Sequence, residues 1–392
     1  MWTDRGIALL AIGQTLAWAG LYYVFPAMLL RWEQDLGWSK VELTAAIALA
    51  VLVSGLVSPL IGRIIDRGRG AGLMALSAIC GGLGLLVLSL VTQLWQFYAV
   101  WVVIGLAMAG CLYEPCFAIV TRALGSDAKR SIILITLFAG FAGTISFPTV
   151  YTLTEMFGWQ ITIRLFGLMV ALVVAPLLWA GARHIETRHQ ADPVPDPVRE
   201  TAAPRFLRNP AFWLLAIGFS FLAIVHGATV HHLLPILDEY GLQRELAVLA
   251  ASFIGPMQIA GRLAMMASEK AISHHGVAVA AFLTMGGAVL LLLFSDTSPM
   301  FLSASIILFG GGYGTVSIIR PLIARDILGA RNFGTKSGAL ALPYLGGSAF
   351  APYFGALVWG VGGYDSLLIV LAIFAISGCG LYMVAHRIAF RR

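Results

Sequence analysis

Residues 41–61, VELTAAIALAVLVSGLVSPLI, followed by Gly62-Arg63-Ile64-Ile65-Asp66-Arg67-Gly68-Arg69-Gly70, decide how the rest of the chain is read. The first part carries no charge after Glu42. It is about as long as the 20 apolar residues that one helix needs to cross the hydrocarbon core of a bilayer. The second part places three arginines and an aspartate in a short polar segment. Outward in both directions the same alternation recurs. Apolar runs predict helices at 6–30, 41–61, 71–92, 96–121, 131–153, 161–181, 211–234, 247–268, 277–295, 300–325, 334–358 and 364–386, twelve spans in all. Ser39 followed by Glu42 gives the second of them a capping-box start.

Composition excludes the soluble alternatives. Of 392 residues 59% are hydrophobic and 11% charged, where soluble domains carry roughly 25% charge. The mean hydropathy is +0.88, and the 43 glycines spread through the apolar runs are what close helix packing in lipid uses. The net charge of +6 resides in short basic clusters between spans. That pattern points to a lipid bilayer as partner and not to nucleic acid. Cys80, Cys111, Cys116 and Cys379 all lie inside apolar runs, so neither a disulfide framework nor a zinc site is expected. The first run begins at Gly6 without a small-residue cleavage site and reads as a retained span. No nucleophile elbow follows a strand pattern and no phosphate-binding loop occurs, so the chain is not expected to be an enzyme or to use ATP or another cofactor. His274-His275 have no further ligands nearby, and no metal is expected.

With the N-terminus inside, twenty of the 25 Lys and Arg residues fall in cytoplasmic segments. Only Arg31, Lys40, Arg164 and Arg244 fall outside, and Arg320 lies within a span. This bias places both termini in the cytoplasm and favours an even helix count. The very short loops suggest an inner membrane of the bacterial type. The longest polar stretch, 182–210 with Pro193, Pro195, Pro197 and Pro204, reads as a linker between an N-terminal bundle, 1–181, and a C-terminal bundle, 211–392. The halves also align. Tyr22-Tyr23-Val24-Phe25-Pro26 matches His231-His232-Leu233-Leu234-Pro235 at an offset of 209, Glu114-Pro115 matches Arg320-Pro321 at 206, and Gly62-Arg63 matches Gly261-Arg262 at 199. Two parallel six-helix repeats follow, with a substrate site expected at their interface near the bilayer midplane.

The segment Gly62 to Gly70 resembles the loop signature of the major facilitator superfamily, a Gly, then Asp-Arg, then Gly and basic residues, with Gly68 one position early. The resemblance implies an all-α polytopic membrane protein of twelve transmembrane helices in two pseudo-symmetric six-helix bundles. It also implies gating roles for Gly62, Asp66 and Arg67. Within that superfamily, Gly37-Trp38-Ser39, Tyr113-Glu114-Pro115, Gly261-Arg262 and the Gly-rich helices 10 and 11 are most similar to the monocarboxylate-transporter branch and its oxalate–formate antiporter relatives. That branch carries an Asp four residues before a substrate-binding Arg in helix 8. The matching positions here are Gln258 and Arg262, so the arginine is kept and the acid is not. Members with a lysine in helix 1 or mid-helix 11 use it for the anion; here Lys336 sits at the mouth of helix 11.

A charge near the middle of a span costs about 2.5–3.5 kcal/mol on insertion scales and invites a functional reading. Glu114 in helix 4 and Arg320 in helix 10 are repeat-equivalent, opposite in sign, and each precedes a proline that frees a backbone carbonyl. The resemblance implies that helices 1, 4, 7 and 10 line a central cavity, where the two would face each other. Arg320 would bind a carboxylate with its planar fork, and Glu114 would be its counter-ion in the empty state or a proton acceptor. The competing reading is a permanent ion pair. Arg262 lies about six residues, or about 9 Å, from the end of helix 8. Its repeat position beside the loop signature favours gating or structure, and the family resemblance favours anion binding. Gln258, one turn earlier, orients the arginine, donates to ligand or packs. His226, mid-helix 7, suits proton coupling, with a packing histidine as the alternative. His231 and His232, with Tyr22 and Tyr23 at their repeat positions, read as an outer vestibule or interfacial belt. Gln14 and Trp18 share one face of helix 1, where they touch substrate or pack.

The reading is a secondary active transporter of a small organic anion, a monocarboxylate, working as a monomer by alternating access with protons as coupling ion. Its substrate-binding residues are Arg320, Arg262, Gln258, Tyr22 and Gln14, its proton-coupling residues Glu114 and His226, and its gating residues Gly62, Asp66 and Arg67. The alternative is a proton-driven efflux antiporter for amphipathic or drug-like compounds, using Glu114 and the aromatic residues. Arg320 discriminates, since a buried cation suits an anion and penalises a cationic drug. A non-transporting receptor or channel is disfavoured, because no extramembrane domain is expected through which it would signal and an asymmetric sensor would not need a two-fold repeat.

Overall fold

The computed structural model describes residues 5–124, 128–188, 205–268, 271–329 and 333–390, and among them there is no β-strand. Two compact units divide the chain, Met1–Arg199 and Glu200–Arg392. The first holds α1 (Arg5–Leu36), α2 (Lys40–Asp66), α3 (Gly70–Leu88), α4 (Leu94–Leu124), α5 (128–157) and α6 (159–188). The second holds α7 (Pro210–Glu239), α8 (Arg244–Ala267), α9 (His274–Leu292), α10 (Pro299–Leu328), α11 (333–361) and α12 (364–390). The last two are continuous except at Gly362 and Gly363, the latter at φ 71°, where the chain turns back. A straight helix over Phe333–Phe390 would be about 87 Å long, nearly three times the hydrocarbon thickness, so the bend is what makes two crossings of it. Eleven stretches long and apolar enough to span, the last of them bent, amount to twelve spans among the described residues. Their outward faces carry large apolar side chains such as Leu56, Leu83, Trp95 and Leu172, the surface that lipid covers.

Helix starts follow the local chemistry. Ser39 and Glu42 form the expected capping box, with Ser39 N donating to Glu42 Oε2 at 2.8 Å and Glu42 N to Ser39 Oγ at 3.2 Å. Asn209 and Ser298 accept from the second helical amide, each with proline at the first helical position. At the far end of α7, Tyr240 donates to Asp365 Oδ1 at 2.5 Å, and burial beside carboxylates pushes the phenol above its ordinary range.

Three departures of the helices from the sequence reading bear on the site, besides a turn at Gly140–Phe141 within α5. First, α2 runs through Gly62 to Asp66, so most of the signature is helix and only residues 67–69 form the turn. Gly68 takes φ 73° and closes a Schellman motif, its amide on Ile65 O at 2.8 Å and that of Arg69 on Ile64 O at 3.4 Å. Arg122 of α4 donates to the Ile65 carbonyl as well, a cation at a helix C-terminus. The early glycine is therefore the residue this turn requires. Second, α6 continues to Arg188, into the stretch read as linker. Ala182 and Ile185 are buried, with Ile185 against Gly6 of α1. Glu186 accepts from the Gly70 and Ala71 amides at 3.1 and 3.4 Å, capping α3 from a distance. Residues 189–204 of the expected linker lie outside the described residues. Third, α4 breaks at Leu112, which is extended at ψ −152°.

Candidate functional site

In the second unit the polar groups near the middle of the helices converge along one face of α10. Phe309, Tyr313 and Arg320 lie four and then seven residues apart, which returns each to the same face at 3.6 residues per turn. The His226 imidazole of α7, 5% exposed, stacks on Tyr313 at 3.3 Å between ring centroids and 7° between planes, and on Phe309 at 5.6 Å. Its Nε2 is buried with no hydrogen-bond partner. Tyr313 and Tyr344 of α11 join hydroxyl to hydroxyl at 3.2 Å. The Arg320 guanidinium lies over the Tyr344 ring, 4.0 Å from its centroid, and its Nη1 is buried without a partner. Two turns of α10, about 10 Å of helix rise, separate Tyr313 from Arg320. Tyr344 bridges that interval, touching one with its hydroxyl and the other with its ring face.

Beside this line, α8 crosses α10 at backbone contact. A Cβ on Gly261 would collide with the Gly311 carbonyl, and one on Gly314 with the Gln258 carbonyl. The crossing buries Gln258 and Arg262, and Arg262 Nε donates to Gly314 O at 3.0 Å. Lys336 donates to Leu328 O at 2.5 Å and Gly329 O at 3.3 Å, closing the end of α10 and not entering the site. Among the described residues of this unit every carboxylate, from Asp238, Glu239 and Glu245 to Asp296, Asp326 and Asp365, sits in a loop or a terminal turn of a helix. Among the described residues no acid lies in the unit's helix interiors to balance Arg320. His231 and His232 do not form a vestibule or belt. Both are buried, His231 with Nδ1 on Gly227 O at 2.8 Å, His232 with Nδ1 on Tyr364 Oη at 3.2 Å and Nε2 on Pro352 O at 2.8 Å.

In the first unit, α1 takes a π-helical turn at Ala19–Tyr23, a feature concentrated at functional sites. Gly20 in that turn lies against Val170 of a second π-turn, Val170–Val174 in α6. Trp18 meets Tyr22 at 5.2 Å and Tyr113 at 4.7 Å, and Tyr113 stacks on Phe117 at 4.9 Å. Gln14 is fully buried, with Nε2 donating to Cys111 O at 2.8 Å and Leu112 O at 3.3 Å. Pro115 accounts for this bond. Lacking an N–H, it leaves the Cys111 carbonyl four residues earlier without its helical donor, and Gln14 supplies one. In this conformation Gln14 therefore shapes the α4 break by hydrogen bonding. Glu114, in the first turn after the break, is exposed and makes no hydrogen bond or ion pair within its unit among the described residues. A Cβ on Gly62 would meet nothing within 4 Å, and Arg67 is exposed. Asp66 ends α2, and its side chain lies outside the described residues.

The sequence-expected residues His226, Arg320, Gln258 and Arg262 thus fall in one unit, the first two linked by tyrosines that the sequence reading left out. Tyr313 carried a usable signal, its spacing of seven from Arg320. Tyr344 carried none, because its partners are on another helix.

Among the described residues, interior charge and broken helices in a chain of membrane-long apolar helices mark a polytopic membrane protein. The sequence pattern of the Major Facilitator Superfamily matches residues 10–274, and the chain belongs to that family. It is similar to Monocarboxylate transporter 12 of Xenopus laevis, 24% identical over 348 residues that cover 81% of this chain and 74% of that protein. It is likewise similar to the MFS-type transporter YcxA of Bacillus subtilis (strain 168), 24% identical with 89% and 86% covered. Among solved structures, a bacterial homologue of the human lysosomal transporter Spinster, inward-facing and occupied, superposes with a TM-score of 0.71 at 15% identity, covering 98% of this chain and 97% of the other. The nucleoside transporter NupG gives 0.73 at 11% identity, covering 97% and 99%. At these identities the solved structures establish the fold alone.

Proposed function

We propose that the chain is a secondary active transporter of a small organic anion, a monocarboxylate, working by alternating access and coupled to protons. The observation that carries this is Arg320, an interior guanidinium with a buried, unpartnered Nη1, held over Tyr344 in a unit whose helix interiors offer no counter-charge among the described residues. An uncompensated charge in lipid is costly, and a carboxylate from the substrate would complete it. The resemblance to a monocarboxylate transporter supports the same class. Arg262 and Gln258 hold α8 against α10 beside the anion. Tyr22 belongs to the aromatic lining on α1, and Gln14 acts on the path through α4. Glu114 and His226 are the groups available to take the coupling proton. Gly62, Asp66 and Arg67 gate from the end of α2, on the cytoplasmic side by the distribution of basic residues.

The test is uptake of radiolabelled lactate into proteoliposomes, acid outside, by wild type and Arg320→Gln. Gradient-driven uptake lost in the variant supports the reading, and equal uptake by both overturns it. A second reading, efflux of amphipathic or drug-like compounds, is favoured by one observation, an exposed Glu114 that directly follows Tyr113, whose ring meets Trp18 at 4.7 Å.

A further inference from the structure

Resting on the anion reading of Arg320, we propose that His226, Tyr313, Tyr344 and Arg320 form one co-binding site. A carboxylate on Arg320 and a proton on His226 load together, with the Tyr313–Tyr344 hydroxyl pair as the coupling link. The line of contacts is unbroken: imidazole on phenol, phenol to phenol through a 3.2 Å hydroxyl contact, and phenol face under the guanidinium. Both ends are unfinished, since His226 Nε2 and Arg320 Nη1 are buried without partners. One end lacks a proton partner and the other lacks an anion.

Charge decides the order. In the interiors of α7 and the helices packed with it, the titratable or charged groups include His231 and His232 on α7, Tyr313 and Arg320 on α10, Tyr344 and Tyr353 on α11, Arg262 on α8 and Tyr382 on α12, with Tyr364 at the start of α12. Among the described residues the carboxylates of these helices, Asp238, Glu239, Glu245, Asp326 and Asp365, lie only in their terminal turns. With Arg320 bare, a proton on His226 would add positive charge to a site that already holds Arg320 and Arg262. A carboxylate on Arg320 lowers the charge by one, and the proton restores the charge the site had when empty. Empty and fully loaded forms therefore carry the same charge, and only the half-loaded forms differ. The proton comes from bulk water and returns to it, with no bond to carbon made or broken. Linkage requires reciprocity: if the anion favours the proton, the proton favours the anion by the same factor.

The hydroxyl link can be removed while both rings stay in place. Tyr344→Phe keeps the ring under Arg320 and removes only the hydroxyl; Tyr313→Phe keeps the stack on His226 and does the same. Two readouts are taken on the purified full-length chain: proton uptake on lactate binding in detergent, followed with a pH indicator at neutral pH, and lactate counterflow with no pH gradient. Wild type is expected to take up close to one proton per lactate. His226→Gln, Tyr344→Phe and Tyr313→Phe are expected to lose proton uptake and gradient-driven accumulation about tenfold, with lactate affinity falling by the same linkage, whereas Arg320→Gln is expected to lose lactate binding itself. Wild-type proton uptake in all three variants overturns the co-binding site while leaving the anion reading standing. Absence of lactate counterflow in wild type overturns the anion reading itself, and this proposal with it.

Discussion

Replacing Gln14 with leucine separates a contact made with substrate from one made with the protein. The Gln14 amide is the donor that the Cys111 carbonyl lacks because Pro115 has no N–H. Gln14→Leu, close in volume, leaves that carbonyl buried without a donor, a cost of about 1–3 kcal/mol. It also removes Oε1, which is itself buried without a partner, so part of that cost is offset and about 1–2 kcal/mol remains. For a unit of this size each kcal/mol moves the Tm by about 2–4 °C, so scanning fluorimetry in detergent should show a fall of about 2–8 °C. A second arm isolates the bond. In Pro115→Ala the new amide can reach the Cys111 carbonyl once α4 closes over Leu112, so in that background Gln14→Leu should cost about 0.5 kcal/mol or less. Additive losses in the double mutant, or an unchanged Tm with weakened lactate binding, would refute the structural role and make Gln14 a ligand contact.

Arg320→Lys removes the planar fork and its stack on Tyr344, so lactate affinity should fall at least about tenfold with Tm within about 2 °C, read by binding and melting on the same preparation. Gly314→Val drives a branched side chain into the Gln258 carbonyl and should give no monodisperse protein on size exclusion, whereas Gly62→Ala, in open space, should elute as wild type. Gly68→Ala must hold φ 73° with a side chain, costing about 1–2 kcal/mol, and should raise deuterium exchange in the α2–α3 turn. With the coupling proton proposed on His226, Glu114→Gln should leave proton uptake on lactate binding unchanged; its loss would move the proton site to α4.

The spans were legible because hydropathy reports burial in lipid without needing any partner. Starts marked by a local cap, as at Ser39 and Glu42, were legible too, whereas the C-terminal ends of α2 and α6 were not, because they depend on docking. Ile65 and Asp66 stay helical with Arg122 on the Ile65 carbonyl, and 182–188 stay helical because Ile185 and Glu186 find α1 and α3. The same division runs through the site. Arg320, Arg262, Glu114 and His226 stood out as charges or an imidazole in apolar runs, where their cost marks them. Tyr313 and Tyr344 did not, because a tyrosine in an apolar helix reads as packing until its hydroxyl partner on another helix is known. Gln14 was visible as a polar residue in α1, but its partner is a carbonyl set free by a proline about a hundred residues away, which no local pattern reveals.

Arg320 is proposed to receive a carboxylate whose transport is driven by protons. The most direct test is accumulation of radiolabelled lactate in proteoliposomes under an acid-outside gradient, with oxalate and a lipophilic cation as controls, in wild type and Arg320→Gln. The account predicts lactate accumulation in wild type that the gradient stimulates and the variant loses. Cation movement against its gradient with no lactate signal would contradict it and recast Arg320 as a lock between α10 and α11.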